Sequence, residues 1–144
     1  MLFCRTATRG LSHESLPLGL IAGLRDVQIS GALRAMHSDV RHRWTVGEMA
    51  KRVGMSRSAF ATRFAAKVGC APMEYLSTWR MSLARDTLSR GGKSLNELAE
   101  EIGYESASAF STAFRRRVGC PPAAFSRTDQ RVANAVRATK PLAV

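Results

Sequence analysis

The sequence predicts an all-α fold in which two helix-turn-helix units are joined by a rigid linking helix. Three observations predict it. A block of twenty residues recurs fifty positions later in the chain. Each copy is preceded by a short amphipathic stretch that opens on a helix-capping residue. A longer helical pattern lies between the copies and ends at Gly91-Gly92.

Ser56 to Tyr75 falls on Ser106 to Phe125, and ten of those twenty positions are identical. The identities include Phe60/Phe110, Phe64/Phe114, Val68/Val118, Gly69/Gly119, Cys70/Cys120 and Pro72/Pro122. Upstream of the block the offset becomes forty-nine. Thr45-Val46-Gly47-Glu48 then aligns with Ser94-Leu95-Asn96-Glu97, and Gly54 with Gly103. The second copy therefore carries one extra residue just after its glycine. A repeat of this kind marks a duplicated supersecondary unit.

Asp26 to His37 has the spacing of an amphipathic helix, with Val27, Ile29, Leu33 and Met36 expected to face inward. Thr45-x-x-Glu48 and Ser94-x-x-Glu97 are both written as capping boxes, which satisfy free backbone N–H groups at a helix start. Val46, Met49, Ala50 and Val53 follow in the first copy; Leu95, Leu98, Ala99 and Ile102 follow in the second. Each set makes one apolar stripe. Gly54 and Gly103 suit a left-handed helix end. Ser56 can cap the next helix, as can Glu105 or Ser106 in the second copy. The second helices bury Phe60, Phe64, Val68 and Phe110, Phe114, Val118, and stop at Gly69 and Gly119. Two short helices joined by a tight glycine turn make a helix-turn-helix, over about 46–68 and about 95–118. The linking helix, about 73–89, carries Tyr75, Leu76, Trp79, Leu83, Ala84 and Leu88 and measures ~25 Å at 1.5 Å per residue. Residues 1–25 read as a linker remnant or flexible N-terminal segment, and 128–144 as a tail that frays or forms loose helix.

A chain of 144 residues with 45% apolar content can pack one domain of ordinary size. Lys and Arg number 22 against 11 Asp and Glu, giving +11. Such a surplus favours a polyanionic partner, nucleic acid or an anionic membrane surface. No stretch approaches the ~20 apolar residues of a membrane span. Leu16 to Leu24 is short, broken by Pro and Gly, and lacks the small-residue cleavage site of a signal peptide. Cys4, Cys70 and Cys120 form no C-x-x-C pair and suit a reducing cytoplasm, two of them as small core residues. His13, His37 and His42 have no metal-ligand or catalytic spacing. No nucleophile–base pair points to an enzyme, and neither a metal nor a cofactor is called for. A basic module for membrane or protein would carry one continuous amphipathic helix, which short capped helices in duplicate do not make.

The repeated F-x-x-x-F-x-x-x-V-G-C-x-P block, the segment Tyr75 to Met81, and Ile102-Gly103-Tyr104-Glu105-Ser106 before Phe110 resemble the AraC/XylS family of bacterial transcription regulators. The match runs from Asp26 to Arg127. The resemblance implies homeodomain-like units, about seven helices in all, and a cytoplasmic, DNA-binding regulator, an activator in many members. It implies double-stranded DNA as partner, with RNA polymerase as a second. Each unit would place its second helix in the major groove, ~34 Å or ~10 bp apart on one face. A monomer could then occupy an asymmetric site of about 20 bp. Leu18 through Trp44 further resembles members with a cupin-like sensor barrel, a resemblance that implies either a detached or truncated DNA-binding half without its sensor or a naturally short member.

The family's base-reading positions map onto Ser58, Ala61 and Thr62, and onto Ala107, Ser108 and Thr112. Relatives often carry Arg, Gln or Trp there. These small residues rule out bidentate Arg–guanine or Gln–adenine readout at those positions. Ser and Thr can bond several bases, Ala can touch a thymine methyl, and DNA shape can carry more of the choice. By helical angle, the face opposite the first stripe is Ser58, Ala61, Thr62 and Ala65; in the second unit it is Ser108, Ser111, Thr112 and Arg115. Arg57, Arg63 and Lys67 in the first unit, and Arg115, Arg116 and Arg117 in the second, are the phosphate candidates. Arg41, Arg43 and Lys51 lie close to the first unit in sequence. Arg80, matching a family arginine of the linking helix, is expected in a structural ion pair.

Overall fold

The computed structural model describes residues 25–138, which hold seven helices and no strand. In chain order they are α1 (Val27–Ser38), α2 (Val46–Arg52), α3 (Arg57–Val68), α4 (Pro72–Arg90), α5 (Leu95–Glu101), α6 (Ala107–Val118) and α7 (Pro122–Ala138). Cys4, His13 and the apolar stretch from Leu16 to Leu24 lie outside the described residues.

The helix starts follow the capping chemistry. The side chains of Asp26, Thr45, Ser56, Ser94 and Ser106 each accept a hydrogen bond from a backbone N–H of the first turn. Ser106 rather than Glu105 caps α6. The full capping box forms only at Ser94, where the Glu97 carboxylate reaches back to the Ser94 N–H at 2.8 Å. In the first copy the Glu48 carboxylate instead takes His42 Nε2 at 2.6 Å, so the expected box at Thr45 is half made. Gly69 and Gly119 end α3 and α6 in the left-handed region at φ 96° and 90°. Pro72 and Pro122 are the first residues of α4 and α7, where a missing N–H costs nothing.

Two separate cores result. The first joins Ile29, Leu33 and Met36 of α1, Met49 and Ala50 of α2, and Phe60, Phe64 and Val68 of α3 to Tyr75 and Leu76 at the start of α4. The second joins Met81, Ala84 and Leu88 at the far end of α4 to Leu98, Ala99, Phe110, Phe114, Val118 and Phe125. The linking helix is thus shared, its first half in one core and its second half in the other. An aromatic ladder repeats in both. Phe60–Phe64–Tyr75 centroids lie 5.6 and 5.9 Å apart, and Phe110–Phe114–Phe125 centroids 5.5 and 5.6 Å.

One sequence expectation is corrected, and two are made definite. Val27 is 84% exposed, because it lies well round the helix from the Ile29–Leu33–Met36 stripe; Ala32 and Ala35 complete that stripe instead. On α4, Met81 is buried while Trp79 and Leu83 are half-buried. The chain beyond Arg127 continues as regular helix to Ala138, since α7 is anchored from Phe125 and packs along α4.

Candidate nucleic-acid interface

The second helix of each pair, α3 or α6, turns its phenylalanines into its own core and leaves the other side uncovered. On α3 the exposed residues are Arg57, Ser58, Ala59, Thr62, Arg63, Ala65, Ala66 and Lys67. On α6 they are Ser108, Ala109, Thr112, Arg115, Arg116 and Arg117. Of the base-reading candidates, Ser58, Thr62, Ser108 and Thr112 are exposed. Ala61 and Ala107 are half-buried on the flank, and so is Ser111. Ala61 stands about 100° from Phe60, beside the buried stripe and not opposite it. Ala59 and Ala109, which sequence reasoning passed over, lie on the open face. The same angular count, applied from the middle of each stripe, would have found them. The exposed Thr112 donates its hydroxyl to the Ser108 carbonyl at 3.0 Å, which leaves that oxygen able to accept.

The phosphate candidates divide into two groups. Arg57, Lys67, Arg115 and Arg116 are exposed, and their side chains have no ion-pair or hydrogen-bond partner among the described residues. Arg63 and Arg117 are engaged. Arg63 Nε donates to Asp26 Oδ2 at 2.7 Å and Nη1 to Gln28 Oε1 at 3.0 Å, while Gln28 Nε2 donates to the Val53 carbonyl at 3.1 Å. This chain of bonds ties α3 to the start of α1 and the end of α2. Burial alone would raise the Asp26 carboxyl; the Arg63 bond, the Ile29 and Gln28 amides and the Arg63 charge outweigh it and hold the pKa below its ordinary 3.8. Arg117 Nη1 donates to Thr78 Oγ1 at 2.9 Å and fastens the end of α6 to the linking helix.

The basic residues before α2 are also engaged, across to the second unit. Arg41 pairs with Glu100, and Arg43 pairs with Glu105 at 2.6 Å. Arg80 makes no ion pair among the described residues, contrary to expectation. Its guanidinium donates to the Val40 carbonyl from Nε and Nη2 at 3.1 and 2.9 Å, and to the His42 carbonyl at 2.9 Å, and lies 5.8 Å from the Tyr104 ring centroid. Lys51 is exposed on α2. Among the described residues no group of His, Cys, Asp or Glu is placed to hold a metal ion, and no helix is long and apolar enough to cross a membrane.

Two homologous helix pairs, each with one helix face left open and basic, define the class as a double helix-turn-helix protein. The sequence profile of the family described as a helix-turn-helix domain matches residues 49–128. The chain belongs to the AraC-type helix-turn-helix family. An AraC-like transcription regulator of Streptomyces antibioticus is 43% identical over 88 residues, covering 61% of this chain and 29% of that protein. The HTH-type transcriptional regulator AlkR of Acinetobacter baylyi is 37% identical over 106 residues, covering 74% of this chain and 35% of AlkR. The chain thus spans about a third of the length of these relatives. The DNA-binding domain of the global transcriptional factor AdpA, solved in complex with a target DNA, superposes with a TM-score of 0.64 at 30% identity. That match covers 79% of this chain and 96% of the AdpA domain. These relatives are named for transcription regulation and not for a catalysed reaction.

Proposed function

We infer that this chain binds double-stranded DNA sequence-specifically and regulates transcription, laying α3 and α6 in successive major grooves. The observation that carries the reading is the pairing of two uncovered helix faces, each bearing cations with no partner among the described residues. An open basic face at one site is an ordinary solvated surface; two related by duplication and joined by one rigid helix suit two turns of a duplex. The AdpA domain, solved on its target DNA, supports the same use of this fold.

On this reading Arg57, Lys67, Arg115 and Arg116 bind phosphate and set affinity. Ser58, Thr62, Ser108 and Thr112 meet base edges, with Ala59 and Ala109 beside them and Ala61 and Ala107 at the margin. None of these side chains can make a bidentate guanine or adenine contact, so shape and methyl contacts carry more of the sequence choice. A monomer suffices for a site of about 20 bp. The protein acts in the cytoplasm where the chromosome is reached, as an activator that also touches RNA polymerase. The stretch from Leu18 through Trp44 supports the subgroup whose members carry a cupin-like sensor barrel.

Selection from a random duplex pool across a salt series tests the reading. The expected outcome is a motif of two boxes about 10 bp apart, with affinity that falls steeply with salt. Absence of binding at low salt would overturn it.

A further inference from the structure

The duplication is not symmetric, and its asymmetry is concentrated at one place. After the turn glycine the second copy reads Gly103-Tyr104-Glu105-Ser106 where the first reads Gly54-Met55-Ser56. The extra position brings in Glu105, whose carboxylate takes Arg43 from the segment between α1 and α2. That segment, residues 39–45, belongs to the first unit, yet its contacts run across the molecule. Arg41 pairs with Glu100 of α5. The Arg41 carbonyl lies so close to Gly103 that a Cβ there would sit 2.8 Å from it, and 2.7 Å from Arg80 Nη2. At the equivalent Gly54 a Cβ would meet nothing within 4 Å. Both glycines have positive φ, 71° and 86°, so both favour glycine for the turn itself; only Gly103 is also pressed by a neighbour.

Arg80 sits where the two cores part, between Leu76 of the first and Met81 of the second. Its bonds to the Val40 and His42 carbonyls hold the 39–45 segment down, and its guanidinium lies by the Tyr104 ring of the other unit. Burial lowers its pKa while the Tyr104 hydroxyl partly offsets this, and it stays charged under all ordinary conditions. A planar fork that reaches two carbonyls from one position is a geometry lysine cannot reproduce. The separate cores leave α4 itself, the Arg117–Thr78 bond at its middle and this cluster to set the pose of α6 relative to α3.

We propose that Arg80, with Gly103 and the Arg41–Glu100 and Arg43–Glu105 pairs, is a positioning latch that fixes the separation of the two recognition helices and so the spacing of the two DNA boxes. The proposal rests on the two-groove reading above. One base pair of extra spacing moves the second box about 3.4 Å along the axis and about 35° around it. A rigid pair of units cannot follow that shift; a loosened pair can.

The test compares wild type with Arg80→Met on duplexes carrying the selected boxes at their preferred spacing and with one base pair added or removed. Discrimination against the altered spacings should fall about tenfold, the order of losing one charge-assisted hydrogen bond. Amide residual dipolar couplings of the DNA-free chain give a second readout. Couplings from α1–α3 and α5–α6 should fit one alignment tensor in wild type and require two in Arg80→Met. If Arg80→Met does not fold, the Glu100→Gln/Glu105→Gln variant, altered only at exposed carboxylates, should change discrimination in the same direction by about twofold. Equal weakening at every spacing, with couplings still fitting one tensor, would overturn the latch. If wild type binds no duplex, the DNA reading falls and the couplings alone decide: two tensors in the variant support the latch, one tensor overturns it.

Discussion

The two units share a fold and a capping scheme but differ in where they place charge. At equivalent positions on the open helix faces the first has Ala65 and Ala66, and the second has Arg115 and Arg116. The first unit's mid-helix arginine, Arg63, is bound to Asp26. Its other cations on that helix, Arg57 and Lys67, stand at the two ends. Duplication preserved what the core needs, the phenylalanine stripe and the turn glycine, and left the open face free to diverge. The second unit is therefore the more electrostatic partner and the first the one that depends on close fit.

The largest expected effects test whether the units are separate at all. Phe64→Ala and Phe114→Ala each remove a side chain that is fully buried, at a cost of about 3–5 kcal/mol. Hydrogen exchange on Phe114→Ala should show protection lost from α5 and α6 while α1 to α3 keep theirs, and the reverse in Phe64→Ala. Equal loss everywhere in both variants would mean one cooperative body and would break the comparison.

Next in size are two glycine substitutions. Gly54→Ala should destabilise by about 1–2 kcal/mol through left-handed backbone strain alone. Gly103→Ala should cost more, about 2–3 kcal/mol, because the new methyl also meets Arg80 and the Arg41 carbonyl. Thermal denaturation of the two side by side decides. Equal losses would show that the contact at Gly103 relaxes without cost.

The charge difference gives the third test. Replacing both Arg115 and Arg116 with Ala should lower the slope of log affinity against log salt by about 2, near 0.9 per phosphate contact. Arg63→Ala should leave that slope alone and instead destabilise the fold by about 1–2 kcal/mol, since the Asp26 carboxylate, 5% exposed, loses its partner. The Asp26 contribution is present above its unfolded value of 3.8 and is lost as pH falls through the lowered folded value. A reduced salt slope in Arg63→Ala would return Arg63 to the phosphate-binding set.

The same residues show what was legible in the sequence. Helices, caps and apolar stripes are local, set by a period of 3.6 and by one side chain meeting an N–H two or three residues away. They are legible nearly in full; Val27, apolar but well round the helix from the buried stripe, is the exception. Cations were harder. A lone arginine in a basic chain reads as free, and its partner is a property of the tertiary fold. Arg63 finds Asp26, Arg41 finds Glu100 and Arg117 finds Thr78, partners 37, 59 and 39 residues away. The offset change from forty-nine to fifty marked an inserted residue, and that residue, Glu105, is one of the contacts between units.

The smallest expected effect is acid sensitivity confined to the first unit. His37 is half-buried, stacks on Trp79 at 4.3 Å between centroids, and its Nε2 lies 2.6 Å from the Tyr75 hydroxyl. Burial pushes the Tyr75 hydroxyl up to about 12, so it keeps its proton opposite the imidazole nitrogen. Burial also lowers the His37 pKa below 6.5. A histidine held neutral in the fold but free to charge when unfolded contributes stability above pH 6.5, which is lost as pH falls through the folded value. No histidine follows His42 in the chain, so the second unit has no counterpart. Denaturation from pH 7.5 to 5.5, followed by exchange protection unit by unit, should show α1 to α3 weakening while α5 and α6 hold. His37→Gln keeps a hydrogen-bond partner for Tyr75 without titrating and should flatten the first unit's slope. If the slope survives that substitution, the acid response does not come from His37, and the buried contact between α1 and α4 is insensitive to pH in this range.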